Sequence, residues 1–193
     1  MKKLIFLFCA AAMLAVSCNN NPKDTGEVIG EDSLGVAAPM DLQTQEYIEG
    51  RVSDMYNYAF SSVMDDADKK FFTPDFYDLQ EKVIEKQRET GNLWIDHDHW
   101  VMGQDCQNPS FEFLKAEEIG PHYAKAYLNV KAFEDQEKPE LVRLTLRYNG
   151  DDWMVDDIEE QYEGAFYSHR KIYEEALSEY CIRMVVLLYT LCF

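Results

Sequence analysis

The spacing of apolar residues changes at one place in this chain, and that change limits the fold more than any other feature. Before residues 93–105, LWIDHDHWVMGQD, apolar side chains recur every three or four positions; after it they alternate. The first spacing makes one stripe on a helix and the second one face of a sheet. An α+β chain is expected, with helices first and an antiparallel sheet after. The junction also carries His97 and His99, Asp96, Asp98 and Asp105, and Trp94 and Trp100. A polar site is expected there.

In the helical half, Ile48, Val52, Met55, Tyr56, Ala59, Phe60 and Val63 form one stripe, and Asp41 or Thr44 can cap it. Residues 65–70, DDADKK, read as a polar break before Phe71 and Phe72 resume burial. Thr73 and Pro74 mark a second start, with Pro at the first helical position. Phe76, Leu79 and Val83, with Ile84 beside them, then face inward; Glu81, Lys82, Glu85, Lys86 and Arg88 face water, and Gly91 stops the helix.

In the strand half, Leu93, Trp94 and Ile95 suggest a short strand and residues 111–116 another. The alternation is clearest at Ala124, Ala126, Leu128, Val130 and Ala132, and again at Val142, Leu144 and Leu146. Asn149-Gly150 is a hairpin signal, and Trp153, Met154 and Val155 return as a strand that closes at Ile158. Lys125, Lys131, Arg143 and Arg147 share the outer face, either to meet an acidic ligand or to pair with nearby carboxylates. Ala165, Phe166, His169, Ile172, Tyr173, Ala176, Leu177 and Tyr180 read as a C-terminal helical stripe, with His169 as a packing residue on it. Residues 184–193, MVVLLYTLCF, are apolar all round but too short to cross a hydrocarbon core; they would pack on the domain, join a dimer or lie at a membrane surface.

The first residues read as an address. Lys2 and Lys3 precede an apolar run of signal-peptide length over residues 4–16. Leu14-Ala15-Val16-Ser17-Cys18 resembles a bacterial lipobox, which makes Cys18 the lipidated residue and the membrane the first partner. The expected division is a signal peptide over 1–17, a lipidated cysteine and flexible tether over 18–40, an α+β domain over 41–160, and a C-terminal helix with an apolar end over 161–193. The expected location is the cell envelope, at the outer membrane or a periplasmic face. Removing Lys2 and Lys3 takes the basic count from 18 to 16 against 36 acidic residues, a mature charge of −20. So acidic a chain repels nucleic-acid phosphates, and no nucleic-acid partner is expected. Of the remaining cysteines, Cys181 and Cys192 would stand about 16 Å apart on a continuous helix, too far to bond.

The central Trp-Ile-Asp-x-Asp run ending in Gly-Gln-Asp, with a strand meander and Asn-Gly-Asp-Asp-Trp-Met-Val-Asp-Asp-Ile after it, resembles domain-of-unknown-function family 3828. That is a group of secreted and lipid-anchored bacterial proteins. The residues that carry the resemblance are Asp96, Asp98, Gln104, Asp105, Trp153, Asp156, Asp157 and Ile158, within a span of residues 47–158. Where members often have Asp-Pro-Phe, this chain has Asp98-His99-Trp100. The resemblance implies a cystatin-like, nuclear-transport-factor-2-like cone: a curved antiparallel sheet wrapped on helices, with the last helix as an addition. It brings no assigned activity, and the fold alone does not set one.

The leading expectation is a non-catalytic module that binds a small molecule or a protein. The expected pocket residues are Tyr56, Asp98, Trp100, Gln104, Asp105, Tyr127 and Trp153. Aromatic rings would supply apolar contact, and Asp and Gln orientation. One alternative is an isomerase- or dehydratase-like enzyme, with Asp98 or Asp105 as general base and His97 or His99 as hydrogen-bond partner. Another is a dimeric or inhibitory interaction module. His97 and His99 are the candidate metal ligands, with Asp105 or Cys106 as a third donor. Their spacing matches no named metal motif, so no metal or other cofactor is assigned.

Overall fold

Thr44 opens the helical layer. In a computed structural model that describes residues 35–61 and 64–178, its Oγ1 accepts the Tyr47 N–H at 3.1 Å, while Asp41 sits in a 3-10 turn just before. Helix α1 (Gln45–Ser61) buries Ile48, Val52, Met55, Tyr56 and Ala59, the expected stripe. The leader, Cys18, most of the tether, Val63, Tyr180, Cys181, Cys192 and residues 184–193 lie outside the described residues. Among the described residues no helix is long and apolar enough to cross a membrane.

The polar break expected over 65–70 is instead part of a helix, α2 (Met64–Phe71). Ala67 and Phe71, one turn apart, are buried, and Lys69 and Lys70 lie in the last turn, where positive charge meets the negative end of the helix dipole. Helix α3 (Pro74–Thr90) starts with Pro in its first turn and stops at Gly91, whose φ of 72° is a left-handed cap. Thr73 does not cap with its side chain: its hydroxyl donates to Asp156 Oδ1 at 2.9 Å, fastening α3 to the sheet. Lys86, expected in water, is buried. Its ammonium donates to the Ala176 carbonyl and lies 5.1 Å from the Trp94 ring centroid, so the charge is paired while the stem packs.

Five strands among the described residues make one antiparallel sheet in sequence order: β1 (Ser110–Glu117), β2 (Tyr123–Lys131), β3 (Glu140–Tyr148), β4 (Trp153–Tyr162) and β5 (Ala165–Ser168). Helix α1 packs on β1 and β2, and α3 on β4. Leu128 pairs with Val142 and Leu144 with Ile158; all four are buried on the helix side. The hairpin after β3 is held by Asn149 Oδ1, which accepts the N–H groups of Asp151 and Asp152, each at 2.9 Å. The Tyr47 hydroxyl and Arg51 guanidinium reach the same hairpin from α1, at Asp152 Oδ1 and the Trp153 carbonyl.

Three expectations change in the strand half. Residues 93–95 form no strand. Strand β4 does not close at Ile158 but runs to Tyr162. Residues 165–168 are β5, not the start of a helix, so the sheet continues past the expected boundary at residue 160. The cause is a tight turn at Glu163 and Gly164, with φ of 51° and 84°, both left-handed as a two-residue hairpin requires. The helix then begins at residue 169 and is described to 178 (α4), with Ser168 Oγ accepting the Lys171 N–H at 3.0 Å as its cap.

A bulge in β4 decides which side chains beyond Val155 face the helices. Thr145 pairs with Asp157 and Leu146 with Val155, leaving Asp156 as an extra residue. Inward alternation therefore passes from Val155 to Ile158, and Glu160 takes the same face as Ile158. Three of the four basic residues of the outer face are paired: Lys125 with Glu118, Arg143 with Glu159, and Arg147 with Asp75 and Asp156.

Candidate functional site

The central loop is shaped by backbone hydrogen bonds to one aspartate. Asp98 Oδ1 accepts the N–H groups of Trp100 at 2.8 Å and Val101 at 3.3 Å, and the Asp98 N–H donates to the Gly103 carbonyl at 3.0 Å. This is the local turn that Asp favours. A Cβ at Gly103 would stand 3.1 Å from Ala132 Cβ and 3.1 Å from the Asp105 carbonyl, so glycine lets the turn lie against the end of β2. The turn drives His99 and Trp100 into the core.

There they meet Asp68 of α2, which is 7% exposed. Asp68 Oδ1 lies 2.8 Å from His99 Nε2 and accepts the Trp100 indole N–H at 2.6 Å; Oδ2 accepts the Gln80 amide at 2.9 Å. Three partners satisfy a carboxylate that burial alone would make costly. Burial works against a proton on His99, but the charge and hydrogen bond of Asp68 outweigh it, and the imidazole is raised above its ordinary value.

A second carboxylate stands beside the first group. Glu160 of β4 has Oε2 at 3.3 Å from His97 Nε2 and Oε1 at 3.6 Å from His169 Nε2. His169 is the first residue of α4 and is 0% exposed. Its ring centroid lies 5.9 Å from that of His97 and 6.4 Å from that of His99. Three of the four histidines thus converge, from the central loop and α4, on carboxylates from α2 and β4. The His169 and His97 imidazoles together pull the Glu160 carboxyl down to about 2 against its burial. Glu160 in turn raises His97, whereas burial lowers His169. These contacts have ion-pair reach without aligned hydrogen bonds: both ring nitrogens of His169 and Nε2 of His97 are buried and unpartnered among the described residues, as is Gln80 Oε1.

The group borders a cavity of about 180 Å³ lined in part by Asp68, Gln80, His97, Asp98, His99 and Tyr173. The residues His97, Glu160 and His169 each offer one donor atom, all within 4.8 Å of one another. Imidazole and carboxylate donors at this separation are suited to a divalent ion, a small polar molecule or a shared proton.

The seven expected pocket residues do not line one cavity, although Tyr56 and Trp100 meet edge to face at 5.3 Å. Asp98 alone reaches this cavity, and its Oδ1 is committed to backbone amides. Tyr56, Trp100 and Trp153 are fully buried core residues. Trp153 donates its indole N–H to the Leu42 carbonyl at 2.9 Å. Tyr127 lies on the other face of β2 from the buried alanines, 6.2 Å from the Phe166 ring. Gln104 and Asp105 are exposed, and the Gln104 amide donates to Asp96. The expected acid–base pairings are replaced as well: His99 is bonded to Asp68, and His97 faces Glu160. His97 and His99 do share one region, but the further donors are Glu160 and His169 rather than Asp105 or Cys106; Cys106 is free and exposed.

Asp68, Glu160 and His169 were not legible as site residues from spacing alone. The one signal available was a histidine on the buried stripe of the last helix in a chain that already held a His-x-His pair. Comparison with protein-family models, curated proteins and solved structures gives no match for this chain.

Proposed function

We propose that this chain is a lipid-anchored bacterial envelope protein, tethered through Cys18, whose domain binds a small polar ligand without transforming it. The proposal includes a cone of the cystatin-like, nuclear-transport-factor-2-like kind and membership of domain-of-unknown-function family 3828. The resemblance of residues 93–105 and 149–158 to that family supports the second point. Helices α1 and α3 against one face of an antiparallel sheet are compatible with the first.

The observation that carries the binding reading is His169. An imidazole that is 0% exposed, with neither ring nitrogen hydrogen-bonded among the described residues, has lost its hydration and has in return the Glu160 carboxylate at 3.6 Å. His97, whose Nε2 is also buried and unpartnered beside the same carboxylate, lines the cavity, so a ligand entering there would meet the cluster at His97. The volume, about 180 Å³, is below the range of drug-sized sites and suits an ion or a molecule of a few heavy atoms. A binding role is favoured over a general base because Asp98 is tied to two backbone amides and Asp105 is exposed.

The test is native mass spectrometry of the full mature chain, extracted from membranes in detergent and released from the micelle in the gas phase. A diacylglyceryl mass on the Cys18 peptide and a noncovalent mass excess on the intact chain are the expected results. A chain that carries no adduct and takes up none from a cell extract would refute binding; an unmodified Cys18 would refute the anchor.

A further inference from the structure

We infer that His97, Glu160 and His169 are the ligands of one divalent transition-metal ion of the zinc class. The inference rests on the reading of this cluster as a binding site and says what binds there. Zinc sits about 2.0–2.2 Å from imidazole nitrogen and carboxylate oxygen. Donors at the corners of a tetrahedron of that size are separated by about 3.4 Å, as the bond length requires. The Glu160 carboxylate reaches both rings through its two oxygens, with Oε2 at 3.3 Å from His97 Nε2 and Oε1 at 3.6 Å from His169 Nε2. The full set lies within 4.8 Å, so the donor atoms have to close by no more than about 1.4 Å to reach that spacing.

The chemistry narrows the ion. Two imidazoles and one carboxylate suit zinc and its first-row neighbours; calcium and magnesium require oxygen ligands, and copper(I) prefers sulfur. Both histidine nitrogens aimed at Glu160 are buried and lack hydrogen bonds, which is the state of a ligand atom waiting for its ion. His97 has a neighbour of the kind metal sites use to fix their imidazoles. His97 Nδ1 is 3.6 Å from Asp96 Oδ1, and the His99–Asp68 pair braces the neighbouring wall. Three protein ligands leave one tetrahedral position for water or a small exogenous donor, and the cavity lined by Asp68, Gln80 and Asp98 reaches the cluster at His97.

The experiment uses the full chain in detergent, stripped with chelator and titrated with zinc chloride against a chromophoric competitor. One equivalent is expected, with His169→Gln and Glu160→Gln each weakening it more than about 100-fold, beyond losses typical of outer-layer changes. His122→Gln, at the histidine outside the cluster, should leave it unchanged. Because a buried variant can fail to fold, cobalt(II) on the unaltered chain gives an independent reading: the ring-proton NMR signals of His97, His99 and His169 should broaden away while that of His122 persists. A folded chain that takes up no zinc, zinc held equally by folded His169→Gln, or cobalt that spares these three rings would overturn the assignment. If the chain refuses metal but carries an organic adduct from the membrane, the metal falls and the binding reading stands. If it carries neither, both fall.

Discussion

His169 Nε2 lies 3.6 Å from Glu160 Oε1 because a two-residue turn folds β5 back on β4. Glu160 pairs in register with Tyr167, and His169 comes where the strand gives way to α4. The turn residue Gly164 has φ of 84°, a conformation that costs an L side chain about 1–2 kcal/mol. Gly164→Ala should lower stability by about that amount, read as a fall in the urea midpoint at unchanged slope. An unchanged midpoint would mean that the turn is not what holds this hairpin.

Asp68 is the hub of the buried polar group, and its loss should be the most damaging single change near the site. Asp68→Ala leaves the Trp100 indole, the His99 imidazole and the Gln80 amide without their acceptor. Removing one side of such a buried charged network typically costs about 3–5 kcal/mol. Asp68→Asn keeps an acceptor for some of these donors and should cost less. Equal denaturation midpoints for the two variants would show that the network contributes little and that the packing of Trp100 alone orders the loop.

The start of α4 carries a pH dependence of definite sign. Asp157 Oδ1 accepts the Arg170 N–H at 2.9 Å and Oδ2 the Ser168 hydroxyl at 2.6 Å. Burial nevertheless pushes its carboxyl up to about 6, aided by the charge of Glu159 and opposed by Ser168 and Arg170. The folded state therefore holds this proton more tightly than the unfolded chain, whose aspartates titrate near 3.9. The contribution of Asp157 to stability is best below the unfolded value and declines as pH rises to about 6. Asp157→Asn, which mimics the protonated group, should match the parent at pH 4 and exceed it at pH 7, measured by thermal unfolding in chelator. A variant less stable than the parent at pH 7 would show that the carboxylate charge serves the helix end more than burial harms it.

What could be read from the sequence was whatever is local. The stripe of α1, the Pro74 and Gly91 limits of α3, and the alternation through β2 and β3 all arise from near neighbours, and the structure has them. Helix α2 was hidden because its buried residues are few and one of them is the aspartate at 68, which enters the core only through partners from α3 and the central loop. Strand β5 was hidden because Phe166, His169 and Tyr173 also fit helical spacing. The site was hidden for a deeper reason. Asp68, His97, Glu160 and His169 belong to separate elements, and the bulge at Asp156 sets which face Glu160 takes. Neither relation leaves a periodic trace.

The central loop itself separates floor from rim. At the floor, a Cβ on Gly103 would press on Ala132 Cβ and the Asp105 carbonyl, each at 3.1 Å. Ala132 is short and buried and the other contact is backbone, so neither can swing aside. Gly103→Ala should then cost about 1–3 kcal/mol, as overpacking does, and should weaken zinc binding by shifting the turn that presents His97 and His99. At the rim, Asp105 is exposed, and Asp105→Ala should change stability by no more than about 0.5 kcal/mol and leave zinc uptake intact. Denaturant melts and metal titrations on the two variants decide this. If Asp105→Ala abolishes binding while Gly103→Ala preserves it, the ligand sits on the outer surface of the loop and not in the cavity beneath it.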